Sequence, residues 1–153
     1  MHYFLDAEFN GFQGQLISLA LVPEADHAVT FYAALDCDVP TKWVLDCVLP
    51  VLQTDPVTRV DITARLAEYF KGDPEPVVVA DWPEEFAHFA LLLITGPGSR
   101  LPMQTVRFEL LNLPLFDSTS LSQTPHNALC DASALKAYVT AEEGAINVGA
   151  GCR

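Results

Sequence analysis

The sequence predicts one α/β domain in which three antiparallel strands are followed by alternating helices and strands, giving a mixed sheet flanked by helices. Three observations predict it. Apolar, β-branched runs punctuated by Gly and Pro fill the first 35 residues. The hydrophobic period then lengthens to that of a helix. A compact apolar run, Pro76-Val77-Val78-Val79-Ala80, lies between two such helical patterns, as a buried strand would.

In order along the chain, Tyr3 to Phe9 reads as a strand, and Gly11 and Gly14 mark the turn after it. Leu16 to Val22 is a second strand, stopped by Pro23, and Val29 to Leu35 a third. Short turns between them indicate a meander. Lys42 to Leu49 fits one or two helical turns closed by Pro50. Val60 to Lys71 spaces Ile62, Leu66, Tyr69 and Phe70 near the helical period and stops at Gly72. After the strand at Pro76 to Ala80, Pro83 opens another helix, whose positive end suits Glu84 and Glu85. That helix reaches about Ile94 and breaks at Gly96-Pro97-Gly98. Val106 to Leu111 reads either as a fifth strand or as irregular chain, and Leu129 to Ala141 as a final helix. The domain is expected over residues 1–143, with 144–153 a flexible, Gly/Ala-rich tail.

No apolar run reaches the roughly 18 residues that span a bilayer. The first residues lack the basic segment of a signal peptide, so a cytoplasmic protein without membrane attachment is expected. Cys37, Cys47, Cys130 and Cys152 form no Cys-x-x-Cys pair and read as reduced thiols, mostly core filler. The net charge of −12, with only eight Lys and Arg, counts against a nucleic-acid binder that works through a basic face. It leaves open an enzyme that meets phosphate through divalent cations held by carboxylates.

Carboxylates are the candidates for chemistry. Asp6 and Glu8 are two apart on the first strand, so a period of two puts both on one face. A buried acid pair is costly unless something positive lies between, and a hard divalent cation is the usual solution. Asp81 ends the fourth strand, where open α/β sheets place their sites. Glu85 follows four residues later in the first turn of the next helix. Asp131 opens the last helix, with His126 five residues before it. Five residues are about 140° around a helix, so His126 belongs on the preceding loop. There it could swing over the acids as a general base.

Taken together, Asp6-x-Glu8, the Asp81/Glu85 region and His126-x4-Asp131 resemble the DEDDh exonucleases, the group of polymerase proofreading subunits, ribonuclease T and oligoribonuclease. Tyr3 to Phe9 is similar to their first motif, and His126 to Asp131 to their third. The stretch Trp43 to Pro50 also resembles a small bacterial exoribonuclease family acting on adenylate-containing RNA. The resemblance implies a ribonuclease H-like fold and a 3′–5′ exonuclease, more specifically an exoribonuclease, releasing nucleoside 5′-monophosphates. It implies two Mg²⁺ or Mn²⁺ ions, one held by Asp6, Glu8 and Asp131, the second by Asp6 with Asp81 or Glu85. His126 would be the general base, Glu8 would help orient the attacking water, and Ala7 and Phe9 would meet the substrate. The partner would be a single-stranded RNA or DNA 3′ end or a short oligonucleotide, and a homodimer is compatible with the family and the composition. The second motif departs from the family, which carries Asn where Asp81 stands and Asp where Glu85 stands. That change makes a catalytically inactive nucleotide-binding relative the alternative. Arg100 and Lys136 are the basic residues best placed to meet phosphate.

Overall fold

The computed structural model describes residues 1–103 and 105–150. Strands β1 (His2–Phe9), β2 (Leu16–Pro23) and β3 (Phe31–Ala34) form the antiparallel meander. A π turn (Val44–Val48) and a 3-10 turn (Leu49–Val51) follow, then helix α1 (Arg59–Tyr69), strand β4 (Val77–Ala80) and helix α2 (Pro83–Leu93). A small hairpin, β5 (Ile94–Gly96) and β6 (Ser99–Arg100), leads to β7 (Arg107–Leu110). Helices α3 (Ser118–Leu121) and α4 (Ala128–Ala150) complete the chain.

The main sheet has the order β3-β2-β1-β4-β7 and is mixed: β1 runs antiparallel to β2 and parallel to β4, and β4 is parallel to β7. Its two faces are covered by different helices. Tyr3, Leu5 and Ala7 share one core with Ile62 and Leu66 of α1 and Phe89 and Leu92 of α2. Phe4, on the other face, packs with Val79 and with Ala128, Ala132 and Leu135 of α4. Coverage on both faces explains why every residue of β2 and β4 is buried and why these strands read as unbroken apolar runs.

The expected α/β sheet with flanking helices is present, with local corrections. The third strand is shorter than Val29 to Leu35. The segment after Lys42 does not stop at Pro50, which lies inside the 3-10 turn; its missing amide hydrogen costs little in a first turn. Val106 to Leu111 resolves into β7, and the hairpin and α3 were not foreseen. The final helix runs on past Ala141 to Ala150, so the backbone over 144–150, part of the segment expected as a tail, is helical; 151–153 lie outside the described residues. Cys37, Cys47 and Cys130 are free thiols, but half-buried rather than sealed in the core, and Cys152 lies outside the described residues. Among the described residues no helix is long and apolar enough to cross a membrane.

Candidate metal centre

Strand β1 lies in the middle of the sheet, and its parallel register with β4 matches His2 to Val77 and Phe4 to Val79. Continued by one pleat, that register brings Asp6 level with Asp81, just past the end of β4. Asp6 and Glu8 point to the face covered by α4, the face that Phe4 shares, as the period-two argument requires. Helix α4 brings Asp131 in its first turn, and α2 brings Glu85 in its own. Four elements thus deliver five carboxylates to the C-terminal edge of β1 and β4.

The cluster is crowded and poorly solvated. Glu85, Asp131 and Glu8 are 5%, 4% and 9% exposed. Asp6 Oδ2, Glu85 Oε2 and Asp131 Oδ1 are sealed from solvent with no hydrogen-bond partner among the described residues. Burial, then the charges of Glu8, Asp131 and Asp81, push Asp6 well above the usual carboxylate range. Burial, then Asp6, Asp81, Glu8 and Asp131, do the same to Glu85. Glu8 is pushed up to about 7 by burial and by Asp131. Burial also raises Asp81 and Asp131, the latter against the Ser122 hydroxyl, which lies close without a well-formed bond, and a hydrogen bond from the His126 amide. Five acids raised by desolvation, four of them also by their neighbours' charge, form a site that a divalent cation would relieve. The orphaned oxygens are hard anionic donors, the ligand type that Mg²⁺ and Mn²⁺ take.

His126 sits on the loop before α4, with the left-handed backbone angle φ of 66°. Its amide donates to Asp131 Oδ2 at 3.0 Å. A ring nitrogen of His126 and carboxylate oxygens of Glu8 and Asp131 all lie within 4.8 Å of one another. Asn127, 2% exposed, fixes this corner: its Oδ1 accepts from the amides of Leu129 and Cys130, capping α4, while Nδ2 donates to Val51 O at 2.7 Å. The cap was legible in principle, since an Asn stood directly before the apolar helix. Its second bond, 76 residues back, was not.

Beside the acids opens a hollow of about 390 Å³ lined by Ala7, Glu8, Phe9, Gly11, Phe12, Thr41 and Trp43. Asn10 braces the chain beside it. Its Nδ2 donates to Val39 O and its Oδ1 accepts from the Thr41 amide at 2.7 Å, tying the chain before Trp43 to the β1–β2 turn. Gly14 is obligatory in that turn, because a Cβ there would meet Asn10 O at 2.2 Å. Phe9 stacks on His88 of α2 with ring centroids 5.0 Å apart. Trp43 meets His126 edge to face at 4.9 Å, and Phe12, 82% exposed, leans toward Trp82 at 6.4 Å. These aromatic partners are separated by dozens of residues, so no local pattern announced them.

The structure therefore brings together Asp6, Glu8, Asp81, Glu85, His126 and Asp131, with Ala7 and Phe9 on the wall of the adjoining hollow. It does not bring Lys136 or Arg100 there. Lys136 is paired with Asp26 at 2.7 Å, and Arg100 lines a separate depression with Leu93 and Phe108. The chain matches no known protein family, and no curated protein matches it.

Proposed function

We propose that this chain is a metal-dependent 3′–5′ exonuclease of the DEDDh type on a ribonuclease H-like fold, acting on single-stranded ends and more specifically on RNA. One observation carries the reading: carboxylates from four separate elements and a loop histidine meet beside an aromatic-lined hollow of nucleobase size. The mixed sheet, with its three-strand meander followed by alternating helices and strands, supports it.

Asp6, Glu8 and Asp131 would hold one Mg²⁺ or Mn²⁺ ion, and Asp6 with Glu85 or Asp81 a second. Bound there, the ions would supply positive charge for the scissile phosphate and its leaving oxygen. The chain's own residues do the rest. Phe9 and the hollow seat the terminal base by stacking, which tolerates any sequence. Glu8 orients the attacking water and His126 takes its proton. The water oxygen bonds to phosphorus, the bond from phosphorus to the 3′ oxygen of the preceding nucleotide breaks, and that oxygen gains a proton from solvent. A nucleoside 5′-monophosphate leaves, and the shortened strand keeps a 3′ hydroxyl. The protein is acidic overall, so strand ends and short oligonucleotides suit it better than long duplexes.

Hydrolysis of the p-nitrophenyl ester of thymidine 5′-monophosphate with Mn²⁺ tests the reading. The wild-type chain should turn it over, and Asp6→Ala should abolish turnover. Absence of turnover in both, with tight nucleotide binding, would favour the inactive relative that the altered second motif suggests.

A further inference from the structure

We infer that Trp43 is a positioning residue that couples occupancy of the base hollow to the orientation of His126; the catalytic consequence of that coupling rests on the exonuclease reading above. Two contacts carry it. Trp43 forms part of the wall of the hollow, beside Glu8 and Thr41. The same indole meets the His126 ring, with centroids 4.9 Å apart and planes at 77°.

The His126 backbone is held, but its ring is not. The amide is tied to Asp131 Oδ2, and the left-handed φ of 66° fixes the direction in which the side chain leaves the loop. The ring nitrogens make no hydrogen bond among the described residues, although one of them lies within 4.8 Å of carboxylate oxygens of Glu8 and Asp131. The T-shaped contact with the indole is thus the restraint that selects the imidazole rotamer. An edge-to-face aromatic pair shifts such a population by roughly 2- to 10-fold.

Trp43 is itself only half-fixed. It is 47% exposed, and its backbone belongs to the segment that Asn10 ties to the β1–β2 turn. A nucleobase entering the hollow covers the open part of the indole, immobilises it, and in doing so fixes the imidazole against it. A 3′ end without a base leaves both rings loose. Base recognition is then expressed in kcat as well as in binding.

The test combines spectroscopy with kinetics on the full chain. In NMR spectra, the His126 imidazole carbon-bound protons should carry a ring-current shift that Trp43→Ala removes and Trp43→Phe largely keeps. Adenosine 5′-monophosphate with Mg²⁺ should move those resonances in wild type but not in Trp43→Ala. With Mn²⁺ and RNA oligonucleotides, wild type should cleave an ordinary 3′ end with a kcat roughly 10-fold above that for an abasic 3′ end. Trp43→Ala should cleave both at the lower rate, and Trp43→Phe should recover most of the difference. An unmoved His126 signal in Trp43→Ala, or a loss confined to KM with kcat intact, would overturn the inference and leave Trp43 a simple wall. If wild type cleaves nothing, the exonuclease reading fails instead, and the His126 resonances alone decide whether the coupling stands.

Discussion

The amide of His126 and the carboxylate of Asp131 are joined at 3.0 Å, so the residue that would accept a proton is tied through its backbone to one of the acids that would hold the metal. The same carboxylate leaves Oδ1 sealed without a hydrogen bond, and its charge acts on Glu8 and Asp6. Asp131→Asn separates these roles. The amide oxygen still accepts from His126, but one negative charge leaves a repulsive cluster. Calorimetry without metal should show a higher Tm than wild type, while Mn²⁺-dependent turnover falls by more than about 100-fold, the scale on which even supporting groups of a metal site act. A lower Tm for the variant would mean that the repulsion is not felt in the folded chain.

Glu8 gives the pH dependence its sign. Its carboxyl is raised from an ordinary 4.5 to about 7. Between those values the folded chain keeps a proton that the unfolded chain has released, so stability falls as pH rises through the window. Asp6, Glu85, Asp81 and Asp131 are raised too and act in the same direction; His88, lowered by burial, opposes them in the lower part of the window but is one group against five, and Asp73 and Asp117, held below 3.8, act only at lower pH. The metal-free Tm should therefore drop between about pH 5 and about pH 7.5. Metal competes with those protons, so Mn²⁺ should bind more tightly, and restore Tm more fully, at the upper end. Glu8→Gln should flatten both trends. A metal-free Tm that climbed across this range would contradict the assignment.

Asn127 is predicted to matter for stability without touching substrate. Asn127→Ala removes the cap of α4 and the donor to Val51 O, at a cost of about 2 kcal/mol. Asn127→Ser keeps a capping oxygen and loses only the long-range bond, so its cost should be about half of that. Denaturant melts of the two variants check the order, and equal costs would show that the cap contributes nothing.

How much of this was legible beforehand follows from which interactions are local. The acid pair on β1 was readable because strand period alone places Asp6 and Glu8 on one face, and the apolar flanks Phe4 and Leu5 announced burial. The loop position of His126 followed from helical geometry, and the succession of strands and helices from the change of period along the chain. The wall of the hollow was not readable, because Trp43 meets His126, and Phe9 meets His88, only through the fold. The candidate phosphate contacts failed for the same reason: Lys136 stands near Asp131 in sequence, but Asp26, 110 residues away, claims its charge. The exposed edge strand β7 shows no burial alternation, which is why Val106 to Leu111 stayed ambiguous.

The second motif gives the sharpest remaining choice, since Asp81 and Glu85 both reach the cluster. Their surroundings differ. Glu85 is 5% exposed, and its Oε2 is sealed and unpartnered, whereas Asp81 is only half-buried. A buried oxygen with no partner is costly unless a ligand satisfies it, so Glu85 is the acid expected to face the second ion. Its extra methylene compensates for a starting point on α2 rather than at the strand end. Glu85→Gln should then cut turnover by more than about 100-fold and shrink the Tm gain on adding Mn²⁺. Asp81→Asn restores the residue that the DEDDh pattern carries at this place and removes one repelling charge. It should raise the metal-free Tm and change turnover little. The opposite outcome, an inactive Asp81→Asn beside a tolerated Glu85→Gln, would assign the metal to Asp81 and make Glu85 a buried acid kept neutral by its neighbours.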